Sequence, residues 1–197
     1  MIFDHEFWSE LHPDDLWIYD KLILSRKLGY SCGPSGVPVP TPGTYIVRPI
    51  TNLEGMGYGA KFMSLKDDTW HLPPGHFWCE TFSGRHLSVD YVFGDQILCV
   101  EGFRTSTELH RWDRWEKTSD HIPLPEVLHS LDYKNINCEF IDGKLIEVHL
   151  RHNPDFEKHD ADFVIPVWEG QTTIREGFQF IPDPEETVGR LGFLIPE

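Results

Sequence analysis

Asn135 to Arg151 carries the pattern that most narrows the fold of this chain. Two strand-like runs, Asn137-Cys138-Glu139-Phe140-Ile141 and Lys144-Leu145-Ile146-Glu147-Val148-His149-Leu150-Arg151, are joined by Asp142-Gly143. Asp-Gly between such runs reads as an antiparallel hairpin. Side chains alternate faces along a strand, so Glu147, His149 and Arg151 share one face, and Val148 and Leu150 share the other. The position of Glu139 depends on the turn. A two-residue Asp-Gly turn pairs Glu139 with Ile146 and sets the two glutamates on opposite faces. A three-residue loop, Ile141-Asp142-Gly143 with Gly143 left-handed in a bulge, changes the parity, and Asn137, Glu139, Glu147 and His149 then converge. Converging carboxylates repel one another unless a cation lies between them. Mg²⁺ takes a few carboxylate oxygens and completes its octahedron with phosphate oxygens. A solvent-facing strand pair is the plain alternative.

The rest of the chain divides at glycines and prolines. Residues 13–28 read as a helix, with Asp14 and Asp15 near its start, Leu16, Tyr19, Ile23 and Lys27 at helical spacing, and Gly29 as the stop. Residues 31–43 are Gly- and Pro-rich and read as a loop. Tyr45–Ile50 is a β-branched strand, followed by a loop spaced by Gly55, Gly57 and Gly59. Strands follow at 76–82, 86–93 and 96–103. Trp112 and Trp115, three residues apart, point to packing, and 125–131 reads as a short helix. The last segment, 152–197, reads as loops with short strands. The fold class expected is α+β with mostly antiparallel strands.

Composition bounds the function. Of 197 residues, 40% are hydrophobic and 25% charged, which suits a packed core. Thirty-two acidic residues against 17 basic ones give a net charge of −15, which argues against a broad nucleic-acid-binding face but allows a local basic pocket. The first residues lack the basic start and apolar run of a signal peptide, and no apolar stretch is long enough to span a membrane. The four cysteines are scattered, which fits reduced thiols in a cytoplasmic chain.

The order of these motifs resembles the ATP-grasp superfamily over roughly residues 20–153. Asp20-Lys21 matches the Asp-Lys on a helix that opens the nucleotide region in that family. Arg48-Pro49 matches the end of its Lys-Pro or Arg-Pro strand, and Gly55-Met56-Gly57-Tyr58-Gly59-Ala60 its glycine-rich flap. Glu80 to Asp90 resembles its hinge strand. Glu139, then Glu147-Val148-His149-Leu150-Arg151, resembles its final Glu, short hairpin and Glu-x-Asn-x-Arg.

The resemblance implies two small lobes, approximately 1–78 and 79–197, with a nucleotide cleft between antiparallel sheets. It implies ATP as cofactor, with Lys21 and Arg48 neutralising its phosphates and Gly55, Gly57 and Gly59 bringing backbone amides to them. Glu80 and Phe82 would line the adenine slot, and His86 would reach the ribose. Glu139 and Glu147 would hold Mg²⁺ or Mn²⁺, and Arg151 would stabilise the transferred phosphoryl group. The activity implied is a carboxylate–amine ligase working through an acyl phosphate, with small-molecule substrates. Arg104, Arg111 or Arg114 would hold a substrate carboxylate, and no nucleic acid or membrane partner is expected.

Two departures leave alternatives open. His149 stands where the family has a metal-binding Asn, and imidazole suits Zn or Mn better than Mg; Asn153 lies nearby as a substitute. Only about twenty residues precede the Asp-Lys helix, where family members carry a whole α/β domain. A partner protein supplying that domain, or a non-catalytic nucleotide- or partner-binding role, are therefore the competing expectations.

Overall fold

A computed structural model describes residues 8, 11–51 and 57–197, with all side chains in these ranges except those of residues 184–187. Two sheets organise it. The smaller has β1 (Cys32–Pro34), β2 (Gly43–Pro49), β3 (Lys61–Leu65) and β4 (His76–Cys79), in the order β1-β4-β2-β3. The larger has β5 (His86–Val92), β6 (Asp95–Phe103), β7 (Arg114–Lys117), β8 (Asn135–Ile141), β9 (Lys144–His149), β10 (Phe163–Trp168), β11 (Phe178–Thr187) and β12 (Arg190–Pro196). Its order is β11-β12-β10-β7-β6-β5-β8-β9, and each registered pair of strands in both sheets is antiparallel. The architecture is α+β, rich in sheet and poor in helix.

The helix expected over 13–28 is two pieces: a 3-10 segment, Pro13–Tyr19, and α1, Lys21–Lys27. The break falls at Asp20, whose backbone is extended (φ −93, ψ 96) and whose side chain accepts the Ile23 amide at 2.8 Å. Asp20 is thus an N-cap, which starts a new helix instead of continuing the old one. Lys21 N donates to Ile50 O at 2.9 Å, tying the start of α1 to the end of β2. The break also shifts the helical phase. Leu16 and Ile23 are exposed, while Ile18, Leu22 and Leu24 are buried. Gly29 ends the segment with φ +75, as expected.

The loop read over 31–43 contains a strand, and the strands expected within 152–197 include longer ones. Cys32–Pro34 pairs with β4 as an edge strand, the place where a sheet tolerates proline. Residues 178–196 form the ten-residue β11 and the seven-residue β12. β11 carries Pro182 and Pro184 and lies at the sheet edge, while Phe193, Leu194 and Ile195 of β12 are buried. A strand covered on both sides has no alternating pattern to read.

The two faces of β5, β8 and β9 position the site. Leu87, Val89, Tyr91, Ile136, Cys138, Phe140, Leu145 and Val148 face a core completed by Ile18, Tyr19 and Leu24. The alternate residues, including Ser88, Asp90, Asn137, Glu147 and His149, are buried on the other side. Packing one face against the helical segment leaves the polar row turned toward the smaller sheet.

The hairpin turn differs from the three-residue loop considered above. Asp142 (φ 50) and Gly143 (φ 74) form a two-residue left-handed turn, with Ile141 opposite Lys144 and Phe140 opposite Leu145. A bulge then leaves Ile146 unpaired, and Glu139 stands opposite Glu147. One extra residue in a strand reverses its parity wherever it is inserted. The glutamates share a face because of the bulge, not the turn.

Candidate functional site

A cavity of about 820 Å³ lies between the two sheets. The smaller sheet contributes Ile46, Arg48, Phe62 and Cys79, and α1 contributes Lys21. The larger sheet contributes His86, Ser88, Asn137, Glu139, Glu147 and His149. Gly57, Phe82 and Arg151 also line it.

A chain of alternating basic and acidic groups crosses the cavity wall. Lys21 Nζ lies 3.2 Å from Glu147 Oε2, with both side chains over 90% buried. His149 Nε2 lies 3.4 Å from Glu147 Oε1 and 4.0 Å from Glu139 Oε1. His86 Nε2 lies 3.1 Å from Glu139 Oε2. Burial alone would push the Glu139 carboxyl up; the hydrogen bond and charge of His86, with the charges of His149 and Lys21, outweigh it and hold the group down at about 2. This is a carboxylate held ionised by the basic groups around it.

Arg48 reaches the same wall from the opposite sheet. Its Nη2 donates to Ile146 O at 3.1 Å, across the bulge, and its guanidinium lies 5.2 Å from the Phe77 ring centre. Its Nε is buried and meets no hydrogen-bond acceptor among the described residues. A buried guanidinium nitrogen left unsatisfied is costly, and an acidic oxygen entering the cavity would relieve that cost.

Behind the carboxylates lies a second network, of which the sequence reading singled out only Asn137 and Asn153. Asn137 Nδ2 donates to Ser88 Oγ and Asp90 Oδ1, both at 2.8 Å, and Asn153 N donates to Asp90 Oδ1 at 2.9 Å. Burial pushes the Asp90 carboxyl up, and the hydrogen bonds from Asn137 and Asn153 oppose that. Asn153 Nδ2 donates to Ser88 Oγ and its Oδ1 accepts the Asp155 amide, so its side chain is already engaged. A third cluster was not foreseen. Arg190 bonds Asp155 through both Nη atoms at 2.8 and 2.9 Å, and Asp183 through Nε at 2.7 Å. No local motif signals it, because the three residues come from separate elements.

Several expected residues lie elsewhere or do other things. Glu80 is outside the cavity lining; its Oε1 accepts the Ser31 amide at 2.7 Å and its own amide donates to Ser31 O at 2.8 Å. Phe82 lines the cavity and packs edge-on against Tyr30 at 4.8 Å. His86 is turned to Glu139 and packs on Trp112 and Trp115, at 4.6 and 5.6 Å between ring centres. Gly57 (φ +73) lines the cavity; Gly59 (φ +81) does not, and a Cβ there would lie 3.1 Å from Pro49. Gly55 falls outside the described residues. Arg151 donates to His152 O at 3.2 Å.

Comparison with known proteins places the fold. No protein-family model matches the sequence, and no curated protein matches it. Among solved structures, the chain is similar to carboxyaminoimidazole ribonucleotide synthase from Aspergillus clavatus, with TM-score 0.60 and 12% identity, over 98% of this chain and 73% of that one. It is also similar to a protein described as ATP-grasp superfamily from Archaeoglobus fulgidus, with TM-score 0.50 and 15% identity, over 91% of this chain. The chain spans 64% of that protein's length. The architecture is the ATP-grasp fold, with two antiparallel sheets flanking a cavity.

Proposed function

We propose that this chain is an ATP- and Mg²⁺-dependent ligase that joins a carboxylate to an amine or another nucleophile through an acyl phosphate. The observation that carries the reading is the convergence of Lys21, Arg48, Glu139, Glu147 and Arg151, from distant parts of the chain, on one cavity. The carboxyaminoimidazole ribonucleotide synthase of the same fold is known in complex with ATP, which supports a nucleotide here.

The residues fit these groups. Arg48 offers a buried Nε without an acceptor among the described residues, suited to a phosphate oxygen. Lys21 would leave Glu147 for the phosphates, freeing that carboxylate. Glu139 and Glu147 would hold the metal. No three His, Cys, Asp or Glu side chains among the described residues enclose an ion by themselves, so phosphate oxygens and water would complete its shell. When bound, the metal would neutralise charge on the phosphates.

Chemistry of this kind asks the protein for position and charge more than for proton transfer. Lys21 and Arg48 would fix the triphosphate, and Arg151 would offset charge on the phosphoryl group as the substrate carboxylate attacks it. An amine displacing phosphate from the acyl phosphate would complete the ligation. Release of ADP that depends on both a carboxylate and an amine tests the reading. ATP binding without turnover under all such conditions would favour a non-catalytic nucleotide-binding role. The Lys21–Glu147 and His149 contacts, which balance the carboxylates without a metal, agree with that second reading.

A further inference from the structure

One end of the cavity wall, beside His86, is aromatic. Phe103, Leu109, Trp112, Trp115 and Trp168 line it. The Trp112 and Trp115 ring centres are 4.5 Å apart, and Trp168 Nε1 donates to Trp112 O at 2.9 Å, so the indoles form one block. Gly102 on β6 makes the block possible, because a Cβ there would lie 2.6 Å from Trp112 and 2.8 Å from Trp115.

Arg104 is a cation at this wall. Of the three arginines the sequence offers for a substrate carboxylate, Arg111 is paired with Glu108 at 3.4 Å and Arg114 with Glu116 at 3.0 Å, and neither lines the cavity. Arg104 does line it, with its guanidinium 4.7 Å from the Trp112 ring centre and Nη1 donating to Leu109 O. Asp113, the acid whose charge it feels, is bonded to Thr105 N at 2.6 Å and Thr105 Oγ1 at 2.8 Å. No carboxylate among the described residues forms an ion pair with Arg104.

We propose that this end of the cavity binds a carboxylic acid bearing a flat aromatic group, with the carboxylate on Arg104 and the ring against the indole block and Phe103. A guanidinium suits a carboxylate, and indole edges and faces suit another ring. The inference rests on the ligase reading only in making this acid one of two substrates; the binding itself needs no catalysis.

The test is isothermal titration of the full chain with hydrocinnamate, its amide hydrocinnamamide, and the aliphatic acid heptanoate. Each is run with and without Mg²⁺ and a non-hydrolysable ATP analogue. Hydrocinnamate should bind about tenfold more tightly than its amide, from the charge-assisted bond. It should bind about threefold more tightly than heptanoate, from ring contact. Arg104→Gln should bring acid and amide to the same affinity. Equal binding of acid and amide by the wild type, equal binding of heptanoate, or no binding of hydrocinnamate in either condition overturns the proposal. A nucleotide-induced thermal shift is read separately, so either reading can fail while the other stands.

Discussion

Glu139 and Glu147 stand directly opposite each other across the β8–β9 hairpin, and the unpaired Ile146 puts them there. Without that bulge, the two-residue turn would set Glu139 opposite Ile146 and send the two carboxylates to different faces. The turn still matters, because it fixes where the register begins. Gly143→Val should lower stability by about 2 kcal/mol, since φ +74 is a left-handed conformation that a β-branched residue resists. The space around a Cβ at Gly143 is open, so the cost is conformational and Gly143→Asn should be nearly neutral. Urea denaturation measures both; a stable valine variant would mean a different turn.

Lys21 and Glu147 form a buried pair at 3.2 Å. Removing one charge leaves the other buried with one partner fewer, so Lys21→Met or Glu147→Gln alone should destabilise by about 3 kcal/mol. The double variant should lose clearly less than the sum, and a double-mutant cycle measures the coupling. Additive losses would show that the pair contributes nothing. Lys21 and Glu147 sit on different sequence motifs, so neither motif alone reveals this contact.

Asp90 should make stability depend on pH. Burial raises its carboxyl above the ordinary value of 3.8, so the folded protein keeps a proton that the unfolded chain has released. Stability therefore falls as pH rises from 3.8 through the raised folded value, by about 1.4 kcal/mol per unit of separation. Asp90→Asn lacks this titration. The difference in Tm between variant and wild type should move in favour of the variant as pH rises through that window. A difference that stays constant with pH would contradict the burial argument.

What could be read in the sequence was local. The Asp142-Gly143 hairpin, the β2 strand ending in Arg48-Pro49 and the stop at Gly29 all follow from neighbouring residues. The features missed are set by distant ones. Asp20 breaks the helix while Lys21 N takes Ile50 O as its acceptor. The Ile146 bulge lies past the turn, where Arg48 of the other sheet holds the Ile146 carbonyl. The Asp155–Arg190–Asp183 cluster and the link from Trp168 to Trp112 join segments that carry no mutual spacing signal. Lys21, Arg48, Glu139, Glu147, His149 and Arg151, all named from the sequence, line one cavity together with the unforeseen Arg85, Glu101, Asp155 and Arg190, and the hydrogen-bond network behind them was largely invisible.

Mg-ATP binding is the central claim, and thermal stability reads it most directly. Ligand at 100 times its dissociation constant adds about 2.7 kcal/mol to the folded state, so Mg-ATP should raise Tm by several degrees. ATP without Mg²⁺ should raise it less, and Arg48→Gln should remove most of the shift by withdrawing the guanidinium whose Nε has no acceptor among the described residues. No shift of the wild type at millimolar Mg-ATP, or an undiminished shift in Arg48→Gln, would contradict the account.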